Sequence, residues 1–228
     1  ILNLIIIKKI FTLIAAAFMA ASASAQTELI FSTTDQFPSN AKFTQGPVTM
    51  TLATSNTWAF KENKGDDGSP TPRVLNGHDY LGSVSCSENP KVADGTGAYA
   101  TFTSTQDGLL YVACVLNASK KMIATADGEA LTGLQCYAGA DGNALTIDND
   151  ATFADKFYGE IAVPVVSGKA YIIAVAGSKA GYYGFRFEGS NAINNINANQ
   201  AKAAALVNIA GQKVGANYKG LVIKNGVK

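Results

Sequence analysis

The sequence predicts an all-β protein: an antiparallel β-sandwich, jelly-roll-like, with a short C-terminal β-hairpin tail. Three observations predict this fold: short segments in which apolar and polar residues alternate, turn-forming Asp-Gly and Asn-Gly pairs between them, and the absence of a convincing amphipathic helix beyond the first 25 residues. Charged residues make up only 15% of the 228-residue chain, and glycine occurs 22 times. That composition suits short strands separated by frequent turns.

The first 25 residues predict a secretory signal peptide. Lys8 and Lys9 precede an apolar run over residues 10–21, and Ala23-Ser24-Ala25 provides the small residues that signal peptidase requires. The apolar run is too short to span a bilayer comfortably. We therefore expect a mature chain that starts near Gln26 and is secreted or displayed on the outer cell surface.

The charge balance argues against two classes of partner. Without Lys8 and Lys9, the 18 basic residues fall to 16 and face 17 acidic residues, a net charge of −1. Proteins that bind nucleic acid or anionic membrane surfaces usually carry a clear positive excess. We expect neither partner.

The first half of the chain predicts few strands and one long loop. Val48, Met50 and Leu52 alternate with threonines, which is the pattern of a half-buried strand. Residues 61–97 are polar and rich in glycine and proline, so they predict a loop of the length seen in functional or loosely ordered loops. The strands predicted here are 28–32, 48–52, 58–60 and a brief one over 78–84.

The second half predicts a regular series of strands. Residues 109–116 are apolar on both faces and so predict a central strand, entered through the Asp107-Gly108 turn. A second polar loop is predicted over 139–155. The predicted strands are 99–104, 109–116, 121–126, 134–137, 158–165, 170–177 and 182–188, and strands at this spacing favour a sandwich.

The composition shifts after the last strand and predicts the domain boundaries. Residues 26–189 form the sandwich domain, and residues 190–205, rich in Asn and Ala, form a linker. Residues 206–228 form a tail with small strands at 206–209 and 221–223. Two strands alone are marginally stable in water, so the tail needs a partner surface or a role that does not require independent folding.

The tail resembles a known sorting signal. Residues 208–214 (Asn-Ile-Ala-Gly-Gln-Lys-Val) and 219–226 (Lys-Gly-Leu-Val-Ile-Lys-Asn-Gly) resemble the C-terminal sorting segment of type IX secretion cargo from Gram-negative anaerobes and their relatives. The resemblance implies that the tail engages the outer-membrane secretion machinery.

The body resembles exported β-sandwich modules, carbohydrate-binding-like, that accompany polysaccharide-degrading domains in the same bacteria. The resemblance rests on the segments 87–90 (Ser-Glu-Asn-Pro), 99–102 (Tyr-Ala-Thr-Phe), 107–110 (Asp-Gly-Leu-Leu) and 177–185 (Gly-Ser-Lys-Ala-Gly-Tyr-Tyr-Gly-Phe). It implies a sandwich fold, export and a carbohydrate context, and it implies no catalytic residue.

The last strand predicts which aromatic side chains are available to a ligand. Flat rings stack on the C–H faces of sugars while nearby polar groups bond the hydroxyls. Alternation assigns Tyr183, Phe185 and Phe187 to the core and therefore points Tyr182 and Arg186 outward.

An outer surface shared with another strand follows from the same alternation. Ile161 and Val163 face the core, which turns Tyr158 and Glu160 outward. If strands 158–165 and 182–188 flank 170–177 in a meander, one outer surface carries Tyr158, Glu160, Tyr182 and Arg186. That surface is a candidate oligosaccharide site, and the alternatives are a solvated face or a face that packs on another domain.

The long loop offers a second set of candidate ligand-binding residues. Trp58, the sole tryptophan, leads into the loop, and His78 and Tyr80 lie in its second half. Loops held by a rigid sheet commonly carry binding residues. A lone tryptophan in a sandwich is nonetheless more often part of the core.

A calcium site is possible in the second polar loop. Asp141, Asn143, Asp148 and Asp150 supply hard oxygen ligands within ten residues, which suits Ca²⁺. Leu145 breaks the EF-hand spacing. The alternative is an ordinary cluster of turn residues, and no other cofactor is expected.

The three cysteines leave two alternatives open. Cys114 and Cys136 lie in apolar segments, so both are buried small hydrophobic residues or, in an oxidising compartment, a disulfide. With Cys86 the number is odd, so the three cannot all pair within one chain.

The sequence offers little support for catalysis. The acidic residues lie in turns without a recognisable motif, His78 is the only histidine, and a Gly-x-Ser-x-Gly motif is absent. The sequence therefore predicts a non-catalytic exported module that binds polysaccharide or oligosaccharide. The alternatives are a structural or adhesive protein that packs on a protein partner and, third, a small glycan hydrolase.

Overall fold

The structure is a computed structural model that describes residues 27–32, 37–53, 58–176 and 180–190, together with the backbone of 207–208 and 222–223. The chain divides into two compact units, residues 1–190 and 191–228. The predicted signal peptide, most of the linker and the side chains of the tail lie outside the described residues.

In the described part of the first unit, the regular secondary structure is almost entirely β-strand. Its one helical segment within the described ranges is a 3₁₀ turn at Val92–Asp94, and none of the described helices is long and apolar enough to cross a membrane. The strands are β1 (Thr27–Ile30), β2 (Lys42–Gln45), β3 (Val48–Leu52), β4 (Ala59–Glu62), β5 (Arg73–Leu75), β6 (His78–Tyr80), β7 (Gly82–Ser85), β8 (Tyr99–Ser104), β9 (Gly108–Leu116), β10 (Met122–Ala126), β11 (Glu129–Ala130), β12 (Leu134–Ala138), β13 (Asn143–Ile147), β14 (Phe157–Val165), β15 (Ala170–Val175) and β16 (Gly181–Gly189).

Two antiparallel sheets form the sandwich. The first sheet has eight strands in the order β13-β12-β14-β9-β16-β7-β4, with β1 also paired to β16. The second has six strands in the order β11-β10-β15-β8-β3-β2. The predicted fold class, an antiparallel β-sandwich, is confirmed. In the second unit, β17 (Val207–Asn208) and β18 (Val222–Ile223) pair antiparallel as a short hairpin.

The central strand of the first sheet is the one that the sequence predicts. β9 lies between β14 and β16 and is buried along most of its length, because both of its faces are apolar and both are covered. One face packs into the core between the sheets, where Met50, Phe102, Ile173 and Phe185 are at most 1% exposed. Burying each such side chain stabilises the fold by roughly 1.5–3 kcal/mol.

The cysteines are part of this core. Cys114 and Cys136 are buried and form no disulfide, so of the two alternatives the structure has the buried thiols. Burial raises the pKa of Cys136 to about 12 and that of Cys114 well above its ordinary value. Cys86 is also buried, and its Sγ accepts a hydrogen bond from the backbone N–H of Glu88 at 3.4 Å.

Several polar segments that predict loops are strands. β13, in the predicted loop 139–155, is a largely exposed edge strand, as is β2, for which no element was predicted. β5, in the predicted long loop, pairs with β6, which falls in the predicted brief strand over 78–84, to form a separate hairpin. Each of these strands is only three to five residues long and has at most one buried residue, so its hydrophobic alternation is weak.

The predicted meander over the last three strands is wrong. β15 belongs to the second sheet, where it pairs with β8 and β10, whereas β14 and β16 both pair with β9 in the first sheet. The chain therefore crosses between the sheets twice in this region. β14 and β16 still share an outer face, because the strand between them is β9.

A β-bulge changes the orientation of side chains in β16. The register of β16 against β9 shifts between Tyr182 and Gly184. As a result Tyr182 lies in the core with Phe185 and Phe187, while Tyr183 lies on the outer face. The predictions that Tyr182 points outward and Tyr183 inward are wrong, because simple alternation does not hold across a bulge.

The Tyr182 hydroxyl joins the two sheets. It accepts a hydrogen bond from the backbone N–H of Ala100 at 3.1 Å and donates one to the carbonyl of Ile173, and these two residues face each other in β8 and β15 of the second sheet. Burial is also the main reason that the pKa of Tyr182 is raised well above its ordinary value. The hydroxyl is thus a neutral cross-link at the centre of the sandwich.

We expect Tyr182→Phe to lower the free energy of unfolding by about 1–3 kcal/mol, because it removes two buried hydrogen bonds between the sheets. Urea denaturation followed by tryptophan fluorescence measures the change. Tyr137→Phe, at a half-buried ring, is the control and should change stability by less than about 0.5 kcal/mol. Equal stability of Tyr182→Phe and the wild type would show that the hydroxyl contributes nothing.

Candidate functional site

The β5–β6 hairpin covers the outer face of the first sheet. Leu75 and Tyr80 from the hairpin pack against Ala113 of β9 and Tyr183 of β16, and all four are nearly or fully buried. This small cluster is separate from the core between the sheets. The long polar passage therefore closes one face of the sheet instead of extending into solvent.

A buried ion pair lies beneath the hairpin. Arg186 donates from Nε to Glu160 Oε1 at 2.9 Å and from Nη2 to Glu160 Oε2 at 2.6 Å. Glu160 is 0% exposed and Arg186 4% exposed. The hairpin supplies two further donors, since the Tyr80 hydroxyl bonds Oε1 and the Asn76 amide bonds Oε2, both at 2.8 Å. The pair thus fastens the hairpin to the sheet.

The ion pair has the features of a structural element. The guanidinium of Arg186 lies over the Tyr111 ring at 4.3 Å, and its Nη1 is 3.7 Å from Glu188 Oε1. Burial alone would lower the pKa of Arg186, but the hydrogen bonds and charge of Glu160 outweigh it and raise the pKa. Among the described residues, every buried side-chain nitrogen and oxygen has a hydrogen-bond partner. Glu160 is therefore bound on both oxygens and does not face solvent as a free carboxylate.

A groove runs beside the hairpin and is centred on Tyr158. Three adjoining hollows of about 420, 410 and 330 Å³ all include this half-exposed ring in their walls. We call their combined lining the Tyr158 groove. Arg73 of β5 lines the two larger hollows, and its guanidinium carbon is 4.4 Å from the centroid of the Tyr158 ring. Cation–π attraction holds the two side chains together.

Most of the residues that line the largest hollow are polar or charged. Tyr183 forms part of its floor, and burial raises the pKa of this tyrosine to about 12 although the neighbouring Arg73 lowers it in part. Asn63 is held in the wall by a 2.8 Å hydrogen bond from its amide to the carbonyl of Tyr80. The polar and charged side chains around this hollow are Lys61, Glu62, Asn63, Lys64, Arg73, Ser83, Ser85, Asn117 and Lys156.

Three of the predicted aromatic ligand-binding residues lie in the interior. Trp58 is 7% exposed and its indole N–H donates to the carbonyl of Ala53 at 2.7 Å. Tyr182 and Tyr80 are 0% exposed. These rings offer no face to a ligand that approaches from solvent, so their role is packing.

The other predicted ligand-binding residues lie near one another. Tyr158, Glu160 and Arg186 are on the outer face of the first sheet, and His78 is half-buried in the hairpin above it. Of these four, Tyr158 lines the groove, and Glu160 and Arg186 lie in the ion pair beneath the hairpin.

The predicted calcium ligands are engaged with the protein or exposed. Asp148 Oδ1 accepts a 2.7 Å hydrogen bond from the backbone N–H of Gly133, and Asp150 pairs with Lys121 at 3.5 Å. Asp141 and Asn143 are exposed. No group of three or more His, Cys, Asp or Glu side chains in the described ranges could hold a metal ion. Calcium binding at this loop stays a prediction.

Sequence reasoning missed the residues that surround Tyr158. Lys64 and Arg73 lie in the passage predicted as a functional or loosely ordered loop, and Lys156 precedes β14. The signal that pointed to them was the length of that loop. Their convergence depends on the hairpin folding back onto the sheet, which no local pattern encodes.

Comparisons with known proteins give little further information. No protein-family model matches the chain, and no curated protein matches it significantly. One similar solved structure comes from work on how the complexity of the Ruminococcus flavefaciens cellulosome reflects an expansion in glycan recognition; it is 15% identical, with a TM-score of 0.26, over 60% of this chain and 85% of that one. Another is an exo-β-1,3-galactanase from Phanerochaete chrysosporium with galactose, 8% identical, with a TM-score of 0.18, over 61% of this chain and 33% of that one. Likenesses of this size do not establish a function.

Proposed function

We propose that the protein is a non-catalytic, exported β-sandwich module that binds carbohydrate in the Tyr158 groove. The observation that carries this proposal is the meeting of three hollows at one half-exposed tyrosine ring, beside side-chain amides and hydroxyls. The groove is built on a rigid sheet and a hairpin that is fastened to it.

The chemistry of the groove suits a sugar. A tyrosine ring can cover the C–H face of a pyranose, and asparagine and serine side chains can exchange hydrogen bonds with its hydroxyls. Asn63, Ser83 and Ser85 lie around the largest hollow within reach of the same space as Tyr158. The three adjoining hollows together provide room for more than one sugar unit.

The groove favours binding over hydrolysis. Glycoside hydrolysis ordinarily needs two carboxyl groups on either side of the scissile bond. Glu62 lines the largest hollow and Asp155 the smallest, so the two acids do not face one another across a single hollow. Glu160 is fully buried and is neutralised by its ion pair with Arg186.

The location of the protein belongs to the same proposal. A cleaved signal peptide would deliver the chain out of the cytoplasm, and the sorting-like tail would pass it to the outer-membrane secretion machinery. The module would then meet polysaccharide at the cell surface or outside the cell.

Affinity electrophoresis against a panel of neutral and acidic polysaccharides tests the proposed function. We expect at least one polysaccharide to retard the protein and Tyr158→Ala to weaken that binding about tenfold, because the stacking surface is lost. Tyr158→Phe keeps the ring and should bind nearly as the wild type does.

Tyr137→Ala is the matched control for the loss of the ring. Tyr137 is a half-buried tyrosine on the neighbouring strand β12, and it does not line any of the three hollows. Its replacement should leave binding unchanged. Failure of every polysaccharide to bind, or equal binding by Tyr158→Ala and the wild type, would overturn the proposal.

A further inference from the structure

The Tyr158 groove concentrates positive charge. Four cationic side chains line its hollows, and two acidic ones, Glu62 and Asp155, accompany them. The cations are Lys61, Lys64, Arg73 and Lys156. The whole chain has 18 basic and 17 acidic residues, so the groove departs from the even balance of the molecule.

Among the residues that the structure describes, no carboxylate forms an ion pair with a groove cation. The ion pairs in the described ranges join Lys121 to Asp150, and Arg186 to Glu160 and Glu188. None of them involves a cation of the groove. All four of these side chains are exposed, so their charged ends can reach a ligand.

Clustered cations that outnumber the acidic groups beside them repel one another. The repulsion is modest at an exposed site, but it is relieved when an anion enters, and a groove lined by one sign of charge raises the local concentration of ligands of the opposite sign. A neutral sugar can accept hydrogen bonds from these cations, but it brings no charge that relieves their repulsion. An acidic glycan would gain an attractive interaction at each repeat unit that brings an anionic group near a lysine.

Arg73 is placed to recognise the anionic group itself. Its guanidinium lies against the Tyr158 ring, which restricts its position, and it borders both larger hollows. A planar guanidinium presents paired N–H donors that match two oxygens of a carboxylate or sulfate. The Tyr158 ring and the cation that binds the acidic group are therefore in direct contact, so a sugar unit that reaches the ring also meets Arg73.

We infer that the ligand of the Tyr158 groove is an acidic glycan, with sugar units stacked near Tyr158 and their carboxylate or sulfate groups bound by Arg73 and the three lysines. This inference rests on the proposed function, since it names the class of carbohydrate that the same groove takes.

Matched pairs of polymers test the inference. Alginate is compared with carboxyl-reduced alginate, and dextran sulfate with dextran, so that each pair differs mainly in charge. Polyphosphate is the polyanion without sugar. Isothermal titration calorimetry at two salt concentrations measures binding, and we expect the acidic polymer of at least one pair to bind at least tenfold more tightly than its neutral partner and less tightly at high salt.

The outcomes separate the inference from the proposed function. Equal binding of both members of each pair overturns the inference and leaves carbohydrate binding standing. Binding of none of the polymers overturns the inference, and the wider panel of polysaccharides then decides the proposed function. Polyphosphate binding as tight as that of the acidic glycans overturns carbohydrate recognition. Tighter binding of alginate than of dextran sulfate would identify the anionic group as a carboxylate, and the reverse order would identify it as a sulfate.

Two charge-matched variants complete the test. Replacing Lys61, Lys64 and Lys156 with glutamine should weaken binding of the acidic glycan about tenfold and reduce its salt dependence. Replacing Lys42, Lys91 and Lys120 with glutamine removes the same charge from exposed positions that do not line the groove and should leave binding unchanged. Equal losses in the two variants would mean that net charge, not the groove, attracts the polymer.

Discussion

Replacing Arg186 with methionine is expected to lower the free energy of unfolding by about 3–5 kcal/mol. The substitution leaves the Glu160 carboxylate fully buried without its cation, while the two neutral donors of the hairpin remain. A methionine fills much of the same volume, so loss of the charge pair is the main change. Urea denaturation at pH 7, followed by circular dichroism, measures the effect.

A surface ion pair gives the matched control. Lys121 and Asp150 are 3.5 Å apart with side chains 62% and 58% exposed. Lys121→Met should therefore cost no more than about 1 kcal/mol. If Lys121→Met and Arg186→Met lowered the free energy of unfolding equally, burial would not be the reason that the Arg186–Glu160 pair matters for stability.

A double variant separates the charge from the packing. Arg186→Met with Glu160→Gln removes both charges and keeps a side-chain oxygen that can accept the Tyr80 hydroxyl. It should be more stable than Arg186→Met alone, because no unpaired charge stays buried. Strict additivity of the two single changes would show that the pair is not coupled.

The ion pair also links the fold to the proposed binding site. Asn76 and Tyr80 reach Glu160 from the β5–β6 hairpin, and Arg73 of the same hairpin forms a wall of the Tyr158 groove. Anything that releases the hairpin from the sheet therefore also displaces Arg73. An apolar pair in this interior could be as stable, but it would not accept the hydrogen bonds of Asn76 and Tyr80 that hold the hairpin on the sheet.

The sequence was sufficient for the parts of the fold that rest on local pattern. The apolar run at 109–116 predicted a central strand, and β9 is central because both of its faces are covered. Alternation at residues 48–52 predicted β3 with the correct bounds. In these segments the buried positions follow from the local pattern of apolar residues, so the sequence pattern alone predicts the strand.

The features that the sequence did not predict depend on contacts between residues that are far apart in the sequence. Asn76 meets Glu160 across 84 positions of sequence, and β15 joins the second sheet although its neighbours along the chain lie in the first. Alternation also misassigned Tyr182, because a bulge in one strand depends on its pairing with another. The groove arises from those same contacts, so of its lining only Tyr158 was predicted as a ligand-binding residue.

The bulge itself can be tested at Gly184, which has a φ of +144° and lies opposite Ile30 of β1. A Cβ at this position would be 1.9 Å from the carbonyl oxygen of Leu29. Gly184→Ala should therefore combine backbone strain of roughly 1–3 kcal/mol with a clash that costs roughly 1–3 kcal/mol more. The backbone of β1 cannot give way without breaking its pairing with β16.

Gly128→Ala isolates the strain from the clash. Gly128 has a φ of +83° in the turn between β10 and β11, and a Cβ there would meet no atom within 4 Å. Its substitution should cost only the strain, so Gly184→Ala should lower the free energy of unfolding by at least about 1 kcal/mol more. In Gly184→Ala, the backbone amides of β1 and Phe31 should also exchange hydrogen faster, because the clash pushes β1 away from β16. Phe31 follows β1 directly, and its fully buried ring packs edge-on against Phe37 and Phe43. If hydrogen exchange in β1 were unchanged and the two variants lost equal stability, the close approach of β1 to the bulge would not constrain the residue at position 184.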